Sequence, residues 1–148
     1  MDNDWENSFR QAFRGSFSGV LRWHQLDELW EVIRNQQKLD SWYVYAIGAP
    51  PPDEVVSADD LDRFLSEVDS LLRKEHEEDY CGVVYTDSFN APSFVKIFDP
   101  NNLGVSCGYS DNPPLPGWIL SRLRPVDLQA AGPLPGNRRR WWQRLFSS

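Results

Sequence analysis

Cysteine is nearly absent from this chain: Cys81 and Cys107 are the only two, far short of a disulfide framework. Histidine is as scarce, with only His24 and His76. There is no Cys-x-x-Cys and no paired His, and His76, Cys81 and Cys107 do not have the spacing of a compact zinc site, so no metal and no cofactor is expected. A Gly-rich phosphate loop is missing too. No run approaches the ~20 apolar residues of a membrane span. The opening stretch, Met1 to Phe17, carries Asp2, Asp4 and Glu6 and has neither the basic nor the apolar region of a signal peptide. These absences predict a cytoplasmic protein with two free thiols.

Positive charge is also in short supply. Fifteen Lys and Arg face 22 Asp and Glu, a formal charge of −7. The deficit is uneven, because residues 137–148 hold Arg138, Arg139, Arg140 and Arg144 and no acid, which leaves 11 basic against 22 acidic groups elsewhere. Eleven of the acids fall between Asp53 and Asp79, beside only Arg63, Arg73 and Lys74. A body this acidic repels nucleic acid, and one face of the protein is expected to be strongly negative.

What the chain does have is apolar and aromatic substance: 41% hydrophobic residues, 14% aromatic and seven Trp, too much for intrinsic disorder. A length of 148 residues suits one domain, burying roughly 68–70% of the surface of its unfolded form. Trp5, Phe9, Phe13 and Phe17 form an i, i+4 ladder, and Trp23, Leu26, Leu29, Trp30 and Ile33 follow amphipathic spacing, so residues 1–40 are predicted to be mostly helical in two pieces. Trp42–Ile47 reads as a strand, ended by Gly48 and Pro50 to Pro52. Ser57 is placed to cap a helix whose stripe is Leu61, Phe64, Leu65, Val68, Leu71 and Leu72. Further strands are predicted at Tyr80–Thr86, Phe94–Phe98, Val105–Tyr109 and Trp118–Leu123.

The order of elements predicts an α+β fold: N-terminal helices, then one long amphipathic helix packed on a small, mainly antiparallel sheet. The link from Trp42–Ile47 through the long helix to Tyr80–Thr86 is expected to form a right-handed crossover. Residues 1–129 form the single domain. Ala130 to Asn137, rich in Ala, Gly and Pro, reads as a linker within a flexible tail at 130–148.

Catalytic patterns are thin. Gly104-Val105-Ser106-Cys107-Gly108 matches the nucleophile elbow in letters, but Tyr-Ser-Asp-Asn-Pro-Pro follows it and cannot open the required helix, and no His lies downstream. Glycines at tight turns explain it better. Lys96 within the apolar run at 94–98, followed by Asp99, Asn101 and Asn102, together with the thiol of Cys107, marks a candidate polar or thiol site. Strand alternation turns Lys96 to solvent, and the Asn residues serve the turn, in the plainer reading. No base or cation adjoins Cys107 in sequence to activate it.

The tail is the most distinctive segment. Arg138, Arg139, Arg140, Trp141, Trp142, Arg144, Leu145 and Phe146 combine cations with large apolar groups, a physical type suited to an acidic protein groove or an anionic interface. A partner protein is the leading expectation, docking on the chain's own body the second, and weak membrane-surface contact the third. The sequence thus reads as a non-catalytic accessory or adaptor protein that binds another protein through this motif and its acidic body. An acidic inhibitor or immunity-type binder is the alternative, and a small thiol-dependent redox protein comes after both.

Overall fold

The computed structural model describes residues 4–36, 41–76, 78–79, 81–100, 115–128 and 141–145. Helix α1 (Asp4–Phe13) leads to a two-residue strand β1 (Ser18–Gly19), then to α2 (Trp23–Gln36), β2 (Tyr43–Ala46) and α3 (Ala58–Glu75). Strands β3 (Val84–Thr86), β4 (Phe94–Ile97) and β5 (Trp118–Ser121) follow. Residues 141–145 add a short helical piece, α4. The fold is α+β.

All pairings between these strands are antiparallel, in the order β1-β3-β4-β5-β2. β3, β4 and β5 are neighbours in chain order, while β2 closes one edge against β5 and β1 the other against β3. The expected crossover does not form. β2 and β3 are separated by β5 and β4, and the alternation of directions makes them antiparallel, whereas a crossover joins parallel strands. α3 therefore carries the chain from one side of the sheet to the other.

Two cores flank the sheet. On one face the α2 and α3 stripes pack on Val44, Ala46, Val84, Val95, Ile97, Trp118 and Leu120. On the other, Phe9 of α1 and Val126 meet Tyr45, Ile47, Phe94 and Ile119. β5 is buried at all four positions, because the chain covers both its sides, so Trp118, Ile119 and Leu120 are apolar in succession and do not alternate with polar residues.

Local chemistry accounts for the helix ends. The Ser57 hydroxyl accepts from the Asp60 N–H at 3.1 Å, Asp59 and Asp60 sit in the first turn, and Arg73 and Lys74 lie in the last, each charge suited to the helix dipole. α1 stops before Gly15, yet the aromatic ladder continues. Phe9, Phe13 and Phe17 all meet the ring of Phe94, at centroid distances of 5.2, 6.3 and 5.6 Å. The β3–β4 connection is tied by Asp87, whose Oδ1 accepts the N–H groups of Ser93 and Phe94 at 2.9 and 3.1 Å. Gly82, at φ 69°, supplies a left-handed turn before β3 that a β-carbon would strain.

Candidate functional site

α2 and α3 lie side by side on one sheet face, running in opposite directions, and a polar seam stitches them. Arg73 Nη2 meets Asp27 Oδ1 at 2.7 Å, Trp30 Nε1 donates to Asp69 Oδ1 at 3.1 Å, and Arg34 Nε meets Asp62 Oδ1 at 2.7 Å. Arg34 also donates to the Ser66 hydroxyl, and Arg73 forms an i, i+4 pair with Asp69. Exposed pairs of this kind add little stability each, about 0–1 kcal/mol, but several in series fix how two helices sit.

The seam consumes most of the local cations. Arg34 and Arg73 are engaged across the helices and Arg63 pairs with Asp60 at 3.6 Å. Glu28 and Glu31 of α2 and Asp59 and Glu67 of α3 are exposed and form no ion pair among the described residues. The surface is thus a rigid two-helix platform with uncompensated carboxylates. Helix periodicity made α3 legible as acidic from sequence, but the contribution of α2 and the seam depends on tertiary pairing that no local pattern reveals.

The sequence-derived candidates fall in several places. Arg138, Arg139, Arg140, Phe146, Asn101, Asn102 and Cys107 lie outside the described residues, as do the linker at 130–137 and the strand expected at Val105–Tyr109. Trp141, Trp142 and Leu145 are seated on the body. Trp141 approaches Trp118 and Phe64 at centroid distances of 5.4 and 6.4 Å, Trp142 meets Phe64 at 6.1 Å, and Leu145 is only 5% exposed. Arg63 Nη1 donates to the Leu145 carbonyl at 3.1 Å, and Arg144 is exposed. Of the three arrangements open to the tail, these residues take the one on the chain's own body, and they do so through apolar contact with α3 and β5.

Lys96 and Asp99 do not stand together as an open polar site. Asp99 is buried. Lys96 points under α1, not into open solvent: its Nζ donates to the Phe13 carbonyl at 2.7 Å and lies 4.2 and 3.9 Å from the ring centroids of Phe13 and Phe17. Partial burial lowers its pKa from the ordinary lysine value. Alternation does place Lys96 on the opposite side from Val95 and Ile97; what sequence did not disclose is that α1 covers that side. Lys96→Ala is expected to cost about 1–3 kcal/mol, from the lost hydrogen bond and cation–π contacts. Urea unfolding checks this, and a change below about 0.3 kcal/mol would show that the ammonium does not pin α1.

Cys81 is a free, buried thiol whose pKa burial pushes up, the opposite of an activated nucleophile. Among the described residues no group of His, Cys, Asp and Glu is arranged to hold a metal ion, and no helix is long and apolar enough to cross a membrane. No family model matches the chain, and no curated protein or solved structure shows significant similarity to it.

Proposed function

We propose that this chain is a non-catalytic accessory protein that binds a partner protein, and that the acidic α2–α3 face, in the manner of an inhibitory or immunity-type binder, makes the principal contact. The observation that supports it is the set of exposed, unpaired carboxylates at Glu28, Glu31, Asp59 and Glu67 on two helices locked by the polar seam. A preformed platform loses little freedom on binding, and an uncompensated field speeds the approach of a basic partner. The adaptor reading through the Arg/Trp motif is weakened because Trp141, Trp142 and Leu145 already have apolar neighbours.

The test is capture from native lysate by three proteins: wild type, Asp59→Lys/Glu67→Lys, and Arg138→Glu/Arg139→Glu/Arg140→Glu. The first variant is expected to lose at least about tenfold in retained partner, roughly 1.4 kcal/mol, while the Arg variant keeps it and added salt weakens both. If the Arg variant alone loses the partner, the tail is the binding element and the acidic face is not.

A further inference from the structure

On the opposite side of the sheet from the acidic platform, a cleft of about 310 Å3 opens between α1, the Pro51–Pro52 turn and the strap that follows β5. The strap is held independently of any ligand: Val126 is buried in the second core, and the Leu128 N–H donates to the Tyr45 hydroxyl at 3.3 Å. Phe9 anchors α1 in the same core. The walls are therefore preformed.

Three side chains converge there. Trp5 heads the Phe9, Phe13, Phe17 ladder, yet it belongs to neither core and is 37% exposed at the cleft. Arg124 holds its guanidinium carbon 4.2 Å from the centroid of the Trp5 indole. Arg10 lines the same cleft, and neither arginine forms an ion pair among the described residues, unlike Arg34, Arg63 and Arg73. Two guanidinium groups not in ion-pair contact with any carboxylate among the described residues, beside an indole, are suited to a planar oxyanion, which arginine binds through two parallel N–H donors. Glu6 and Asp127 also line the cleft and balance the two cations. Those two carboxylates disfavour a dianion, and a single carboxylate would be held by the directional guanidinium N–H donors, which no ion pair among the described residues engages, and not by net charge.

We propose that this cleft binds a small monoanionic carboxylate carrying a flat, ring-like body, with the carboxylate between Arg10 and Arg124 and the ring against the neighbouring prolines and the part of the Trp5 indole that Arg124 leaves uncovered. The volume lies at the lower end of ligand sites, which restricts the ligand to about one ring. The site is independent of the partner-binding reading, since it uses other residues on the other face of the sheet.

The experiment is NMR titration of the full chain, following the Trp5 indole N–H and the Arg10 and Arg124 Nε–H signals, with benzoate, acetate, benzyl alcohol and phenyl phosphate as probes. Benzoate is expected to move these signals with a Kd near or below about 1 mM. Acetate, benzyl alcohol and phenyl phosphate should each bind at least about tenfold more weakly, and Arg10→Gln or Arg124→Gln should weaken benzoate by a similar factor. Arg10 makes no ion pair among the described residues, and an unchanged Tm of Arg10→Gln separates lost binding from lost folding. Equal binding of acetate removes the role of the ring, equal binding of benzyl alcohol removes the role of charge, and tighter phenyl phosphate refutes the selection for a monoanion. Unchanged benzoate affinity in both Arg variants, or no movement of the Trp5 signal, overturns the site itself.

Discussion

Leu65→Ala is expected to lower the unfolding free energy by about 2–5 kcal/mol. Leu65 is fully buried at the centre of the α3 stripe, flanked by Leu61, Phe64, Val68 and Leu72, and it belongs to the core shared with β4 and β5. Deleting its side chain loses the transfer energy of the missing carbons and leaves a cavity that packed neighbours fill only in part. For a chain of this size each kcal/mol moves Tm by about 2–4 °C, so the loss should be visible as roughly 5–15 °C. Ser70→Ala, on the exposed side of the same helix, is the control and should change stability by less than about 0.5 kcal/mol. Chemical unfolding that finds Leu65→Ala no worse than Ser70→Ala would mean that α3 turns another face inward.

That α3 was so legible, and other parts were not, has a physical basis. α3 is specified locally: Ser57 caps it, acids open it, bases close it, and its apolar residues recur at the helical period, so every signal lies within the helix itself. The α2 stripe behaved likewise, and the strands at Tyr43–Ala46, Phe94–Ile97 and Trp118–Ser121 fell inside the predicted stretches because β-branched and aromatic residues cluster there. Sheet order was not local. The placement of β2 beside β5 depends on contacts between residues more than 70 positions apart, such as Val44 with Leu120, which no periodicity encodes. β1 is two residues long, too short to carry any pattern. Tyr80–Thr86 shrank to Val84–Thr86, where Gly82 turns the chain and Cys81 and Gly82 give their N–H groups to Leu21 and Val20. The same limit applied to the sites. Glu28 and Glu31 look like ordinary surface acids until α2 is laid against α3, and Arg124 becomes notable only when folding brings it over Trp5.

Replacing both Trp141 and Trp142 by Ala is expected to lower stability by about 2–4 kcal/mol, or roughly 5–15 °C in Tm. Both indoles are partly buried against the first core, which places the expected loss below that of two fully buried Trp residues. Phe64 links both indoles to the core. It is fully buried on α3, and the rings of Trp141 and Trp142 stand edge-on to it, so part of what covers the α3–β5 corner comes from the end of the chain. Leu145 completes the cover, and Arg63 secures its carbonyl from the exposed side of α3. Five helical residues do not hold a helix by themselves in water, so the order of 141–145 derives from this seat. Leu145→Ala should therefore be destabilising by itself, while Gln143→Ala, on the outward side, should be silent within about 0.5 kcal/mol. Thermal unfolding of the three variants separates two physical pictures. A large loss for the Trp pair and for Leu145 makes the segment part of the fold; wild-type Tm in both would mean that Trp141 and Trp142 are held only loosely, and would return the Arg/Trp motif to the role of a free binding element.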